Sequence, residues 1–386
     1  MPKLRIFQWL SLKRYNWRNY DFSLIVVVLL LSGISTFILQ KVSNNFSMGK
    51  QLFGLTLGFI VMGIVSIMDY HTLCRYVVVL YFAATLMVAA TRFTPIGTDL
   101  STNSFRWLDL GVYYFQPSEI CKVVIILTLA AFFNRYMEHE DKNIRSWRVF
   151  FFACGITIIP TFFILIQSDL SSSLVIIMIL VMMLISSGVG ARILGPVAAI
   201  VIPLIGGFFW YITTPGDKLF LNEYQIERIV GFLHPEEEAL GTMFQQNNSV
   251  ISIASGKLYG KMILDSESTI RNYNNVSVRD SDFVWTPISE EFGFIGCMLI
   301  LALLSVIIIK CFLAAKKARD YMGMMIAIGI GTMFTIQVFF NIGVNTSILP
   351  NTGLPLPFLS SGISSLLSSM IAVGILINIG IQPARR

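Results

Sequence analysis

Residues 22–40 read FSLIVVVLLLSGISTFILQ, and this stretch decides the class of protein. It contains no charged residue, and about 20 mostly apolar residues are what one helix needs to cross a bilayer. The run is too long for the apolar core of a signal peptide and lacks a small-residue cleavage pattern. We therefore expect a retained membrane-spanning helix.

Nine further apolar stretches of similar length follow along the chain. The ten predicted spans are 22–40, 51–68, 75–92, 117–134, 149–167, 171–188, 191–213, 284–309, 322–345 and 359–382. The sequence thus predicts an all-α polytopic membrane protein with ten transmembrane helices.

The composition of the whole chain agrees with this class. Of the 386 residues, 55% are hydrophobic and only 13% are charged, whereas soluble domains carry about 25% charged residues. So few charges cannot cover a water-soluble globule of this size, which argues against a soluble enzyme or a disordered protein. The net charge of +6 does not indicate nucleic-acid binding, because the basic residues follow a membrane-topology pattern.

Ten spans place both termini on one side, and the distribution of lysine and arginine decides which side. Seventeen basic residues fall on the terminal side, against four in the short loops of the other side. The positive-inside rule then predicts that both termini are cytoplasmic. We expect residues 1–21 to be a cytoplasmic segment and 22–386 to be one transmembrane domain, with a long extracytoplasmic loop at 214–283 between spans seven and eight.

Charged residues inside spans are costly and mark functional sites by default. Span four begins with Gln116-Pro117-Ser118-Glu119, and Lys122 follows. Glu119 and Lys122 lie three residues apart and share one helix face, so they can pair. The pair is either structural or part of a site.

Two more polar positions lie at the predicted outer ends of spans. Arg106, beside Trp107, is placed either to meet a phosphate or to reach lipid headgroups. Asp169 lies in the tight turn between spans five and six, where it either caps the following helix or lines a cavity.

The strongest candidates border spans eight to ten. Asp282 directly precedes span eight, where water meets hydrocarbon, and a carboxylate there can accept a proton from a hydroxyl. Residues 351–362 carry two prolines and two glycines between spans nine and ten. Non-helical backbone at membrane depth survives only against protein or a water-filled cavity, so we expect a re-entrant loop that lines a site.

Together these motifs resemble the shape, elongation, division and sporulation family of RodA-, FtsW- and SpoVE-type proteins, over about residues 20–383. The similarity is carried by ordered segments, listed here: Arg106-Trp107, Phe115–Glu119 with Lys122, Gln167–Leu170, Ser255-Gly256 with Gly260-Lys261, Ser281–Phe283 with Glu290–Gly293, and Thr352–Ser360 with Gly362. Met68-Asp69-Tyr70 and the Gly256–Lys261 element favour the RodA type slightly.

The resemblance implies a peptidoglycan glycosyltransferase that polymerises lipid II at the outer face of the bacterial cytoplasmic membrane. It implies a class B penicillin-binding protein, a transpeptidase, as partner, along with other elongation or division proteins. It makes Asp282 the essential carboxylate, and undecaprenyl pyrophosphate the leaving group. Matching positions with binding or supporting roles are Asp169, Glu119, Lys122, Arg106, Lys261 and Ser360.

We expect no organic cofactor and no nucleic-acid partner, and we expect a divalent cation, Mg²⁺ or Mn²⁺, held by Asp282 and Asp169. Two other functions compete with the enzyme. A lipid-linked precursor flippase would need a polar path to the cytoplasmic side, whereas the intramembrane charges crowd the outer end. A non-catalytic scaffold would need no carboxylate at Asp282.

Overall fold

The structure is a computed structural model, and it describes residues 15–43, 47–98, 105–109, 111, 113–138, 144–214, 231–232, 243–264 and 270–382. The α-helices, numbered in chain order, are α1 Phe22–Val42, α2 Met48–Ile67, α3 Tyr70–Arg75, α4 Val77–Phe93, α5 Pro117–Glu138, α6 Trp147–Ile166, α7 Leu170–Ser187, α8 Ala191–Thr213, α9 Phe244–Ser255, α10 Lys261–Leu264, α11 Trp285–Lys317, α12 Tyr321–Asn345 and α13 Ile363–Ile381.

Eight of the described helices are long and apolar enough to cross a membrane: α1, α2, α5, α6, α7, α11, α12 and α13. Two shorter apolar helices, Val77–Phe93 and Ala191–Leu204, correspond to predicted spans three and seven. Many large apolar side chains on these helices are exposed, as expected for surfaces that face hydrocarbon. The chain is a multi-pass membrane protein.

Helix α13 forms the centre of the bundle, because almost all of its side chains are buried. It packs along α2 and also contacts α5, α11 and α12. Helix α12 packs between α11, α7 and α5. The loop that joins α12 to α13 is therefore held at the middle of one end of the bundle.

Several predicted boundaries were wrong by a few residues. Predicted span three, 75–92, begins two residues too early, since α4 starts at Val77 and Arg75 still belongs to the short helix α3. Predicted span ten begins only at Ile363, because Phe358 has φ 64° and the residues before Ile363 form a turn. Helix α11 runs on to Lys317 and bends at Gly293 (φ 65°), where an added Cβ would clash with the Gly260 nitrogen.

The ends of the bundle contain structure that the sequence did not predict. Strands β1 Gly97–Thr98, β2 Trp107–Asp109 and β3 Tyr114–Phe115 form a small antiparallel sheet in the order β1-β2-β3. The described part of the 214–283 stretch includes α9, which packs on α11. Residues 215–230, 233–242 and 265–269 lie outside the described residues.

Candidate active site

Asp282 lies in the turn that leads into α11, and its residue is partly buried. Its backbone carbonyl accepts two hydrogen bonds from buried amides of α12: Asn341 Nδ2 at 2.8 Å and Asn345 Nδ2 at 3.1 Å. Asn345 is itself held, since its Oδ1 accepts from the Thr286 backbone nitrogen at 3.1 Å and from Thr286 Oγ1 at 2.8 Å. Helix α12 thus fixes the backbone that carries the candidate base.

The loop between α12 and α13 passes directly beside the Asp282 carboxylate. Gly353 has φ 75°, and a Cβ built there would lie 3.2 Å from Asp282 Oδ2. A left-handed residue without a side chain is what this close approach requires. Ser171 Oγ, near the start of α7, donates to the carbonyl of Thr352 and anchors the loop from the other side.

Ser360 ties the two segments of the site together. Its hydroxyl donates to the Ser281 carbonyl at 2.6 Å and accepts from the Leu356 nitrogen at 2.8 Å. The next residue adds a backbone hydrogen bond from the Ser361 nitrogen to the Asp280 carbonyl at 2.9 Å. The expected re-entrant loop is non-helical and largely buried from Leu354 onward.

Asp169 is buried and caps the N-terminus of α7, which is the first of the two roles predicted for it. Its Oδ1 accepts from the Ser172 nitrogen at 3.1 Å, and its Oδ2 accepts from Ser172 Oγ at 2.8 Å. Oδ2 also accepts from Gln116 Nε2 at 3.3 Å and Ser118 Oγ at 3.4 Å, which joins the start of α5 to the start of α7. The carboxylate therefore organises two helix ends.

Glu119 and Lys122 form the ion pair expected from their spacing. Lys122 Nζ lies 2.8 Å from Glu119 Oε1, and the two side chains are 0% and 1% exposed. Ser368 Oγ of α13 donates to the second Glu119 oxygen at 3.4 Å. The buried pair therefore joins the first turn of α5 to α13.

Arg106 approaches the α6–α7 turn, where its Nη2 donates to the Ser168 carbonyl at 2.5 Å. Its Nε is buried without a hydrogen-bond partner among the described residues. The guanidinium thus lies beside Ser168, the residue that precedes Asp169. Its buried Nε–H is available to an acceptor.

Lys261 lies in a second ion-pair network at the start of α11. Its Nζ is 2.5 Å from Glu290 Oε1, and Glu290 is fully buried. Neighbouring Glu291 pairs with Arg271 Nε at 2.9 Å. Because Glu290 also accepts from the backbone nitrogens of Asn272 and Tyr273 at 2.8 Å, the network holds the described end of the long loop against α11.

The structure therefore places the predicted residues in separate groups at one end of the bundle. Asp282 lies beside Gly353, and Ser360 of the same loop donates to the carbonyl of Ser281, the residue before Asp282. Asp169 lies at the α6–α7 turn, where Arg106 donates to the carbonyl of the preceding residue, Ser168. The two ion pairs lie in the first turns of helices: Glu119 with Lys122 in α5, and Lys261 of α10 with Glu290 of α11.

Asn341 and Asn345, the amides that hold Asp282, were not predicted as site residues. A signal for them exists: they are four residues apart in an apolar span, so they lie on one face of a helix whose other residues are mostly apolar. Ser171 was also missed, because a serine near a helix start is common and carries no functional signal by itself.

The donor set does not fit a metal site made by the protein alone. Among the described residues, no three His, Cys, Asp or Glu side chains come together to hold a metal ion. Asp169 already accepts four hydrogen bonds. The expected cation between Asp169 and Asp282 stays a prediction.

A separate polar cluster lies at the opposite end of α12. His71 bridges two carboxylates, with Nδ1 2.7 Å from Asp69 Oδ1 and Nε2 2.6 Å from Asp320 Oδ2. Burial alone would lower the pKa of His71, but hydrogen bonds to Asp320 and Asp69 outweigh it and raise the pKa to about 9. The Asp320 pKa falls to about 2, since hydrogen bonds from His71 and Tyr70 outweigh burial.

Comparison with known proteins decides the family. The model of the family described as cell cycle protein, which covers FtsW, RodA and SpoVE, matches residues 15–384. The chain belongs to this family. It is 32% identical over 370 residues to stage V sporulation protein E of Bacillus subtilis strain 168, covering 93% of this chain and 96% of that protein.

A second relative of this family member is the peptidoglycan glycosyltransferase MrdB of Escherichia coli K12. It is 29% identical over 364 residues, covering 94% of this chain and 93% of MrdB. The chain is 32% identical to stage V sporulation protein E and 29% identical to MrdB, and these values are too similar to assign it to one type within the family. The slight preference for the RodA type therefore stays a prediction.

Solved structures show the same fold. The crystal structure of RodA from Thermus thermophilus matches with a TM-score of 0.66 at 22% identity, over 95% of this chain and 98% of that one. A chain from a peptidoglycan synthase complex, described as coordinating polymerization and crosslinking, matches with a TM-score of 0.76 at 22% identity, over 94% and 97%. The helical bundle is that of the family.

Proposed function

We propose that this chain is a peptidoglycan glycosyltransferase that polymerises lipid II into glycan strands, with Asp282 as the general base. The observation that carries this proposal is the partly buried Asp282 carboxylate, set beside Gly353 on a backbone held by α12. The relative MrdB, which bears the name of this activity, supports the reaction class.

In the proposed reaction, Asp282 takes the proton from the 4-hydroxyl of the acceptor sugar. The resulting oxygen attacks the anomeric carbon of the growing chain and forms the new glycosidic bond. The bond from that carbon to the pyrophosphate oxygen breaks, and its electron pair leaves with undecaprenyl pyrophosphate. Inversion in one displacement places the base and the leaving group on opposite faces of the donor sugar.

The leaving pyrophosphate needs positive charge near it. Lys122 and Lys261 are each committed to a buried glutamate. Arg106 keeps a buried Nε without a partner among the described residues. Arg279 lies three residues before Asp282 and donates to two neutral backbone carbonyls, from Nε to Val42 and from Nη1 to Asn274, each at 2.9 Å. These two arginines are the better candidates for the phosphates, whereas the lysines support the site.

The proposal includes a topology of ten spans, with α4 and α8 as spans three and seven. Both termini are then cytoplasmic, and the 214–283 loop is extracytoplasmic. Residues 1–21 form a cytoplasmic segment and 22–386 form one transmembrane domain in the bacterial cytoplasmic membrane. In support, Glu119, Asp169 and Asp282 begin or precede helices that start at the same end of this bundle, where the α12–α13 loop also lies.

The proposed partner is a class B penicillin-binding protein that cross-links the glycan strands, within an elongation or division complex. The similarity to a chain from a synthase complex that coordinates polymerization and crosslinking supports such a partner. We propose no nucleic-acid partner.

The test of the reaction is polymerisation of labelled lipid II by the purified protein in detergent. A glycosyltransferase converts lipid II into long glycan strands, with or without stimulation by the partner, whereas a flippase or a scaffold leaves lipid II unchanged. Parallel reactions with EDTA, and with Mg²⁺ or Mn²⁺ added back, test the expected cation. Failure to form polymer with the partner present would reject the proposed activity.

A further inference from the structure

Asn341 occupies an unusual position between the two backbone segments that meet at the candidate base. Its side-chain amide has two hydrogens, and the structure directs them to different segments. One bond runs to the Asp282 carbonyl at 2.8 Å, and the other runs to the Leu354 carbonyl at 2.7 Å. Both distances are short for N–H···O bonds.

This amide has little freedom to move. Asn341 is 1% exposed, and its Oδ1 accepts a third hydrogen bond, from Asn345 Nδ2 at 3.4 Å. It lies on α12, which packs against α5, α7 and α11. A rigid helix therefore presents one planar group to two segments that lie far apart in sequence.

We propose that Asn341 is a positioning residue for Asp282, which sets the carboxylate against the Gly353 turn by holding both backbones with one amide. Leu354 follows Gly353 directly, and the Gly353 Cβ position is 3.2 Å from Asp282 Oδ2. Asn341 is thus bonded directly to both segments at the point where the base and this turn approach each other, whereas Ser360 and Ser361 join them further along. The inference rests on the proposed role of Asp282.

The consequence for catalysis follows from geometry. A general base must lie within hydrogen-bond reach of the proton that it removes, and a displacement of about 1 Å can cost about 100-fold in rate. Without the Asn341 amide, Asn345 still donates to the Asp282 carbonyl, but only at 3.1 Å, and the Leu354 carbonyl loses this bond. We expect the Asn341→Ala variant to lose about 10- to 100-fold in kcat, with KM for lipid II little changed.

Loss of folded protein would also lower kcat, so the test needs a control for stability. Asn378 of α13 is a buried amide that also makes three side-chain hydrogen bonds: Nδ2 donates to the Ser66 carbonyl at 2.9 Å, and Oδ1 accepts from the Tyr70 nitrogen and from Gln382 Nε2, each at 3.1 Å. It lies at the other end of the bundle, with the His71 cluster. Asn378→Ala should therefore match the stability loss without moving the base.

The deciding measurement is the pH dependence of lipid II polymerisation for the wild type, Asn341→Ala and Asn378→Ala, with melting temperatures measured on the same samples. A smaller folded fraction scales the profile without shifting it, whereas a displaced base shifts its acid limb. We expect a shifted acid limb and reduced kcat for Asn341→Ala alone. Equal profiles for the two variants would overturn the inference.

Two further samples keep the result unambiguous. Asn341→Ser keeps one small hydrogen-bond donor, so this variant should fold and give an intermediate kcat. If Asn341→Ala does not fold, an Asn341→Ser variant with the wild-type pH profile and the wild-type kcat would overturn the inference. Asp282→Asn separates the two levels of the argument. If Asp282→Asn polymerises normally, the proposed role of Asp282 fails; if it is inactive while the Asn341 variants keep the wild-type profile, only the positioning role fails.

Discussion

The ion pair between Glu119 and Lys122 gives a prediction whose size follows from the structure. At 2.8 Å and an effective dielectric constant of about 20, two unit charges attract by about 6 kcal/mol. Because burial has removed both from water, most of this attraction offsets their desolvation, whereas removal of one partner leaves an unpaired charge and costs about 3–5 kcal/mol. We expect Lys122→Met to lower the melting temperature by roughly 4–6 °C.

The matched double variant distinguishes support from direct chemistry. Glu119→Gln with Lys122→Met removes both charges, and the amide introduced by the first substitution would keep a polar contact with Ser368. We expect the double variant to regain most of the lost stability, and lipid II polymerisation to return with it. Stability is read from thermal unfolding in detergent. Recovery of the melting temperature without recovery of polymerisation would show that a charge of this pair acts on the substrate, and would refute the supporting role.

Two more predictions concern other parts of the bundle. Because the pKa of His71 is raised, the contribution of this residue to stability is complete below its ordinary pKa of 6.5 and is lost as the pH rises through about 9. The melting temperature of the wild type should therefore fall as the pH rises across this interval. An equal fall in a His71→Gln variant would contradict this prediction. Gly353→Ala adds a Cβ 3.2 Å from Asp282 Oδ2 and should reduce polymerisation about 10-fold or more. Gly188→Ala has a similar φ of 86° but open space around the new Cβ, so it should keep its activity, and equal losses in both would show that backbone strain alone is responsible.

Much of the architecture was predictable because it depends on long apolar runs. Backbone groups in lipid must be satisfied within the segment, so runs such as 22–40 form helices almost irrespective of context. Pro117 at a helix start, the Glu119–Lys122 pair and the non-helical 351–362 loop follow from equally local rules. These features were predicted and are present.

What the sequence could not supply is contact between distant segments. Asn341 and Asp282 are 59 residues apart, and no local pattern states that one holds the carbonyl of the other. The small sheet β1-β2-β3 also escaped prediction, since its strands have only two or three residues. The pairing of Lys261 with Glu290 depends on how the long loop folds back, which hydropathy does not encode.

The central claim is that the carboxylate of Asp282 carries out the chemistry, and a comparison of two aspartates tests it most directly. Asp280 is also partly buried and lies two residues away, and its backbone carbonyl accepts from the Ser361 nitrogen, a bond that a change of side chain leaves in place. The initial rate of glycan formation from lipid II should disappear in Asp282→Asn and remain close to the wild-type rate in Asp280→Asn, with both proteins equally folded. Normal strand synthesis by Asp282→Asn would contradict the account.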